Sequence, residues 1–174
     1  MIAVHGSRTP EDVVFDVLIL GLGNPLMGDD GVGAAVIEEL AQRDLPRGVR
    51  TEVAPDILHL MSVWLGEPEV WLVDAAQRWD EPGSIHVLEH DEVLGLDDDH
   101  RSAHRLGLAE GLRWLLHGRP ELVEVRFRLW GVEPEVVAPV SRLTHRVAAA
   151  VDALARDIVM AVGEGRPPSD PVMA

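Results

Sequence analysis

The chain has 174 residues, 47% of them apolar, which suits one domain with a core large enough to need no staples. Its 30 acidic against 15 basic residues give a formal net charge of −15, which argues against the clustered Lys and Arg of a nucleic-acid surface. There is no cysteine, so disulfides and thiolate nucleophiles are excluded. Met1 to Arg8 offers no apolar signal core and no apolar run could span a bilayer. The expectation is a cytoplasmic protein with neither membrane nor nucleic acid as a partner.

Residues 1–12 and 165–174 read as flexible tails around a single domain, 13–164. Val17-Leu18-Ile19-Leu20 predicts a first, buried strand, and 32–43 a helix with Val32, Val36, Ile37 and Leu40 on one face. Residues 49–53 predict a second strand and 57–65 a short helix after Asp56. Val70-Trp71-Leu72-Val73 predicts a third, buried strand ending at Asp74. A fourth, 84–88, follows after 75–83, too short a connection for a parallel crossover, so it runs antiparallel. The acidic loop Asp97-Asp98-Asp99 leads to a helix over 106–117, a fifth strand over 122–130 and a long helix over 140–162. The fold class is α/β: a three-layer α/β/α sandwich around a mixed five-stranded sheet with one antiparallel strand. Trp71 by strand alternation and Trp114 by helical spacing are expected in the core, while Trp79 is a candidate to face a partner, with a partly exposed packing residue as the alternative.

The most informative stretch is Gly21-Leu22-Gly23-Asn24-Pro25-Leu26-Met27-Gly28-Asp29-Asp30-Gly31-Val32-Gly33. A buried strand ends there in a glycine-rich loop that delivers two carboxylates to the start of a helix. It is not the dinucleotide fingerprint, because Leu26 stands at the third glycine position, nor a P-loop, because no Gly-Lys-Ser/Thr closes it. Asp29 and Asp30 would also repel a pyrophosphate at that helix start.

Asp30 after the first strand, Asp74 ending the third and His104 ahead of the 106–117 helix fall near strand ends on one rim. Two carboxylates and an imidazole form an oxygen/nitrogen set for a borderline divalent cation with positions left open. Each has a plain alternative: Asp30 as a helix N-cap, Asp74 as a turn cap, His104 as an ordinary surface or core histidine. A rival pair is His100 with His104 at i,i+4 spacing, although no His-Glu-x-x-His is present. No Gly-x-Ser-x-Gly elbow occurs, and Ser62, Ser84, Ser102 and Ser141 have no evident base beside them.

These residues together resemble the nickel–iron hydrogenase maturation endopeptidases. The resemblance runs over about 17–162. Its strongest part is the loop of residues 21–33, followed in order by Val73-Asp74-Ala75, His104-Arg105-Leu106-Gly107-Leu108 and Gly131-Val132-Glu133-Pro134-Glu135. It implies a phosphorylase/hydrolase-like α/β fold whose fourth strand is antiparallel. It also implies removal of a C-terminal extension from a hydrogenase large-subunit precursor after nickel insertion. By position the metal-binding and catalytic residues become Asp30, Asp74 and His104. The metal implied is nickel carried by the substrate, with cadmium or zinc as surrogates.

One departure bears on activity. Where the family commonly has Asp-Gly-Gly followed by Thr or Ser after the second strand, this chain has Val53-Ala54-Pro55-Asp56-Ile57-Leu58-His59. Pro fixes φ and lacks an N–H, so substrate geometry is expected to differ there, with Asp56 or His59 as candidate replacements. A diverged, non-cleaving protein that binds metal or docks during hydrogenase assembly is the alternative. Gly21-Leu22-Gly23-Asn24-Pro25 also looks like the opening of peptidyl-tRNA hydrolases, but their Thr-Arg-His-Asn continuation is replaced by Met27-Gly28-Asp29-Asp30.

Overall fold

The computed structural model describes residues 16–78, 80–96 and 107–164. The expected tails, the Asp97-Asp98-Asp99 loop, His100, His104 and Trp79 lie outside the described residues. Five strands, β1 (Val17–Leu22), β2 (Val49–Ala54), β3 (Glu69–Ala75), β4 (Ile85–Leu88) and β5 (Arg126–Val132), form one sheet in the order β2-β1-β3-β5-β4. The first four in that order run parallel. β4 lies antiparallel to β5, with Ile85 opposite Val132 and Leu88 opposite Leu129, as the short 75–83 connection requires.

β1 and β3 occupy the middle of the sheet and are covered on both faces, so their sequences are almost unbroken runs of apolar residues. Even-numbered Leu18, Leu20 and Leu72 join Leu129 in a core beneath α3 (His90–Leu94) and α4 (Leu108–Gly118), with α2 (Leu60–Val63) alongside. Odd-numbered Ile19, Trp71 and Val73 join Trp130 beneath α1 (Val32–Leu40) and α5 (His145–Glu164). The expected three-layer α/β/α architecture is therefore present. Among the described residues no helix is long and apolar enough to cross a membrane.

Several boundaries shift for local reasons. The 57–65 helix divides into a 3-10 turn, Ile57–His59, and the short α2. Residues 120–124 form a 3-10 turn led by Pro120, so the fifth strand begins only at Arg126. The last helix begins at His145. α3 was not expected; a capping box between Glu89 and Glu92 closes its first turn. Trp114 is a correction, being 63% exposed. The buried face of α4 is set by Leu108, Leu112 and Leu115, and Trp114 stands about 100° around the helix from Leu115. Trp71 is buried as expected.

Gly33 fixes where α1 meets the sheet. A Cβ there would lie 2.6 Å from the Leu22 nitrogen and 2.7 Å from the Val73 carbonyl oxygen, both backbone atoms that cannot give way. Gly33→Ala is therefore expected to destabilise the protein by about 2 kcal/mol or more. Gly163→Ala, in α5 with open space around it, should instead stabilise by roughly 0.5–1 kcal/mol. Urea denaturation of the two variants checks both signs.

Candidate active site

Five charged side chains are buried among the described residues: Asp29, Asp30, Glu67, Asp74 and Glu133. Glu67 lies just ahead of β3 and is paired with Arg50, whose Nε and Nη2 approach it at 2.8 and 2.6 Å. The other four all lie at the carboxyl edge of the sheet: Asp29 and Asp30 after β1, Asp74 near the end of β3, Glu133 after β5. A buried carboxylate costs several kcal/mol unless donors satisfy it, so each needs a reason to be there.

Asp29 has a structural one. Its side chain is fully buried. One oxygen accepts the N–H groups of Glu135 and Val136, both at 2.9 Å, and the Thr144 hydroxyl at 3.0 Å. The other accepts the Thr144 N–H at 2.7 Å. All four donors come from the segment between β5 and α5. Glu133 does a similar service for the loop that follows Asp74: its carboxylate accepts the Arg78 N–H at 2.7 Å. Its backbone carbonyl accepts from Gly83 at 2.8 Å.

Asp30 is 3% exposed and sits in the 3-10 turn Gly28–Gly31. It does not cap α1. The N-cap is Gly31, which makes no side-chain cap bond, and the Asp30 carboxylate reaches backward to accept the Asn24 N–H at 2.8 Å. The chain must pass very close to permit this: at Gly23, with φ +117°, any Cβ would collide with the Asp30 carbonyl.

Asp74 is 1% exposed, pairs with Gly131 of β5, and by alternation shares the face of Val70 and Leu72, the α4 side. The turn carrying Asp30 packs directly against β3, and Gly33 abuts Val73 next to Asp74. Asp30 and Asp74 are thus brought to one edge by adjacent parallel strands. α4 feeds through the 120–124 turn into the amino end of β5, so it starts at this same carboxyl edge. Its contact with the 57–59 turn after β2 agrees with that direction. His104, four residues ahead of Leu108, lies outside the described residues. Among those described, no three His, Asp or Glu side chains are grouped to hold a metal. Two buried oxygen donors with a histidine nitrogen would suit a borderline cation such as nickel.

Asp56, the other acid considered, is engaged locally. Its carboxylate accepts the Leu58 N–H at 2.9 Å and caps the 57–59 turn, while His59 is exposed.

A family model described as HycI, hydrogenase maturation protease, matches residues 35–161. The hydrogenase 2 maturation protease of Escherichia coli is 30% identical over 151 residues, covering 85% of this chain and 91% of that protein. The chain belongs to the hydrogenase maturation protease family. A putative hydrogenase maturation protease of Methanocaldococcus jannaschii is 31% identical over 79% of this chain and 90% of its own length. The structure of the hydrogenase maturating endopeptidase HybD from E. coli superposes with a TM-score of 0.72 at 29% identity, covering 87% of this chain and 94% of that one. The [NiFe] hydrogenase maturation protease HybD from Thermococcus kodakarensis gives 0.71 at 28%, covering 85% and 99%. Family membership carries the general role of a processing endopeptidase.

The sequence groups Asp30, Asp74 and His104 and gives no separate role to Asp29 or Glu133. The one available signal was the doubled Asp, which a single cap or ligand leaves half explained. Asp29→Ala is expected to cost roughly 3–5 kcal/mol, because it strands buried donors, whereas Thr144→Val should cost about 1 kcal/mol. Equilibrium unfolding of both variants tests the difference.

Proposed function

We propose that this protein is an endopeptidase that removes the C-terminal extension of a nickel–iron hydrogenase large-subunit precursor after nickel insertion, acting in the cytoplasm. The observation that carries the reading is the pair of buried carboxylates, Asp30 and Asp74, held at one sheet edge in a chain without cysteine. Asp30, Asp74 and His104 form the catalytic and metal-facing set. Nickel arrives as part of the substrate and supplies the Lewis acidity that polarises the scissile carbonyl or acidifies a water. Cadmium or zinc can stand in for it. The side chains of Asp30 and Asp74 orient that water; one of the two carboxylates takes its proton as the C–O bond forms and passes it to the amine nitrogen as the C–N bond breaks. No serine or cysteine nucleophile is needed. Because the substrate brings the metal, cleavage checks that loading is complete.

A second reading, a non-cleaving metal-binding or docking protein in hydrogenase assembly, is favoured by one observation. The Asp-Gly-Gly segment is replaced at Ala54-Pro55-Asp56, and the Asp56 carboxylate is engaged with the Leu58 N–H.

The test is intact-mass analysis of a nickel-loaded precursor incubated with wild type, Asp30→Ala, Asp74→Ala, His104→Ala and His100→Ala. Wild type and His100→Ala should release the C-terminal peptide. The other three should fall below about one-thousandth of the wild-type rate, the scale on which loss of a catalytic group shows. Their folds should be intact by circular dichroism. Normal cleavage by Asp74→Ala and His104→Ala would refute the site. Loss in His100→Ala would move it to the His100–His104 pair. No cleavage by wild type, where an active family member cuts the same sample, would favour the second reading.

A further inference from the structure

We propose that a recess beside the Asp29–Asp30 turn receives one apolar side chain of the precursor close to the cleaved bond, and so helps select that bond. This deepens, and rests on, the endopeptidase reading. The recess has a volume of about 180 Å³. That is well below the ~300–1,000 Å³ of a typical small-molecule site, so a single side chain fits it better than a metabolite does. Its lining includes the small residues Gly28, Gly31, Ala34 and Ala35 together with Pro25 and Leu143. The exposed Glu38, Ser141 and Arg142 add polar groups to the lining, which the N–H and C=O groups of an extended peptide can meet.

Two further observations point to a polypeptide occupant. The first is continuity with the candidate site: Gly28 and Gly31 bracket Asp29–Asp30 in one turn. An extended chain advances about 3.3 Å per residue, so a side chain seated there lies within roughly three residues of a bond presented to Asp30. The second is a set of apolar side chains held in solvent around the same turn. Leu26 is 65% exposed, and Val136, Val137 and Val140 are 40–45% exposed. Backbone bonds fix this patch against the loop, Gly28 N–H to the Val140 carbonyl at 2.7 Å and Asp29 N–H to the Val136 carbonyl at 2.9 Å. Clustered apolar side chains on a surface pinned in this way mark an interaction site.

The experiment reads binding as well as cleavage. Dissociation constants for the nickel-loaded precursor are measured with Asp74→Ala, and with Asp74→Ala carrying either Ala35→Phe, which fills the recess, or Leu26→Asp at an exposed position where folding is not at risk. Each added substitution should weaken binding about tenfold or more, and each introduced alone into wild type should raise KM with kcat little changed. On the precursor, replacing one apolar residue within three positions of the cleaved bond by Asp should weaken binding comparably. It should add little once Ala35→Phe is present, the coupling expected of two groups in contact. Unchanged affinity in both doubly substituted proteins, or fully additive effects, would overturn the proposal. So would a wild-type dimer, by sedimentation, that Ala35→Phe dissociates, since the recess would then serve self-association. If wild type fails to cleave yet Ala35→Phe still weakens precursor binding, the endopeptidase reading falls and the recess stands.

Discussion

The carboxylate of Asp29, fully buried, accepts four hydrogen bonds from a stretch of chain more than a hundred residues away. It joins the loop after β1 to the segment between β5 and α5. It adds to the two backbone bonds that join the same segments, from the Gly28 N–H to the Val140 carbonyl and from the Asp29 N–H to the Val136 carbonyl. A buried ion is tolerable here because its four partners are all donors, three of them backbone N–H groups that would otherwise need another acceptor. Specific positions at the rim follow: Asp30 is held by its own turn, and that turn is held by Asp29.

The edge divides its acids between two tasks. Asp29 and Glu133 are engaged with backbone N–H groups and act as fasteners for the loops. Asp30, in the turn that follows β1, and Asp74, near the end of β3, lie at the carboxyl ends of neighbouring parallel strands, where an α/β sheet commonly presents ligands. Burial of all four at one edge, while Glu67 beyond the other edge takes Arg50, gives the rim a negative character suited to a cation arriving from outside. A substrate that carries its own metal fits that character.

Much of this was legible in the chain. The unbroken apolar runs of β1 and β3 announced central strands, and the nine-residue connection at 75–83 announced an antiparallel β4. The grouping of Asp30, Asp74 and His104 followed from their positions near strand ends on one rim, and the adjacency of β1 and β3 brings the first two to one edge. What escaped depended on long-range contact. Asp29 finds its donors at 135–144, and no local pattern reports that. Trp114 has a periodicity compatible with the core, but the face of α4 is chosen by Leu108, Leu112 and Leu115 against the sheet, which leaves the indole outside. Asp30 was equally legible as an N-cap; only the backward bond to Asn24, made possible by the close pass at Gly23, removes that reading. His104 lies outside the described residues, so its role rests on the family resemblance and on where α4 begins.

In the proposed reaction the rim carboxylates act on a metal brought by the substrate. This is tested most directly by following one precursor, prepared with and without nickel, through incubation with the wild-type protein in metal-free buffer. Release of the C-terminal peptide is expected from the nickel-loaded form and none from the unloaded form, with cleavage restored when the unloaded precursor is reconstituted. Equal cleavage of both forms would contradict it.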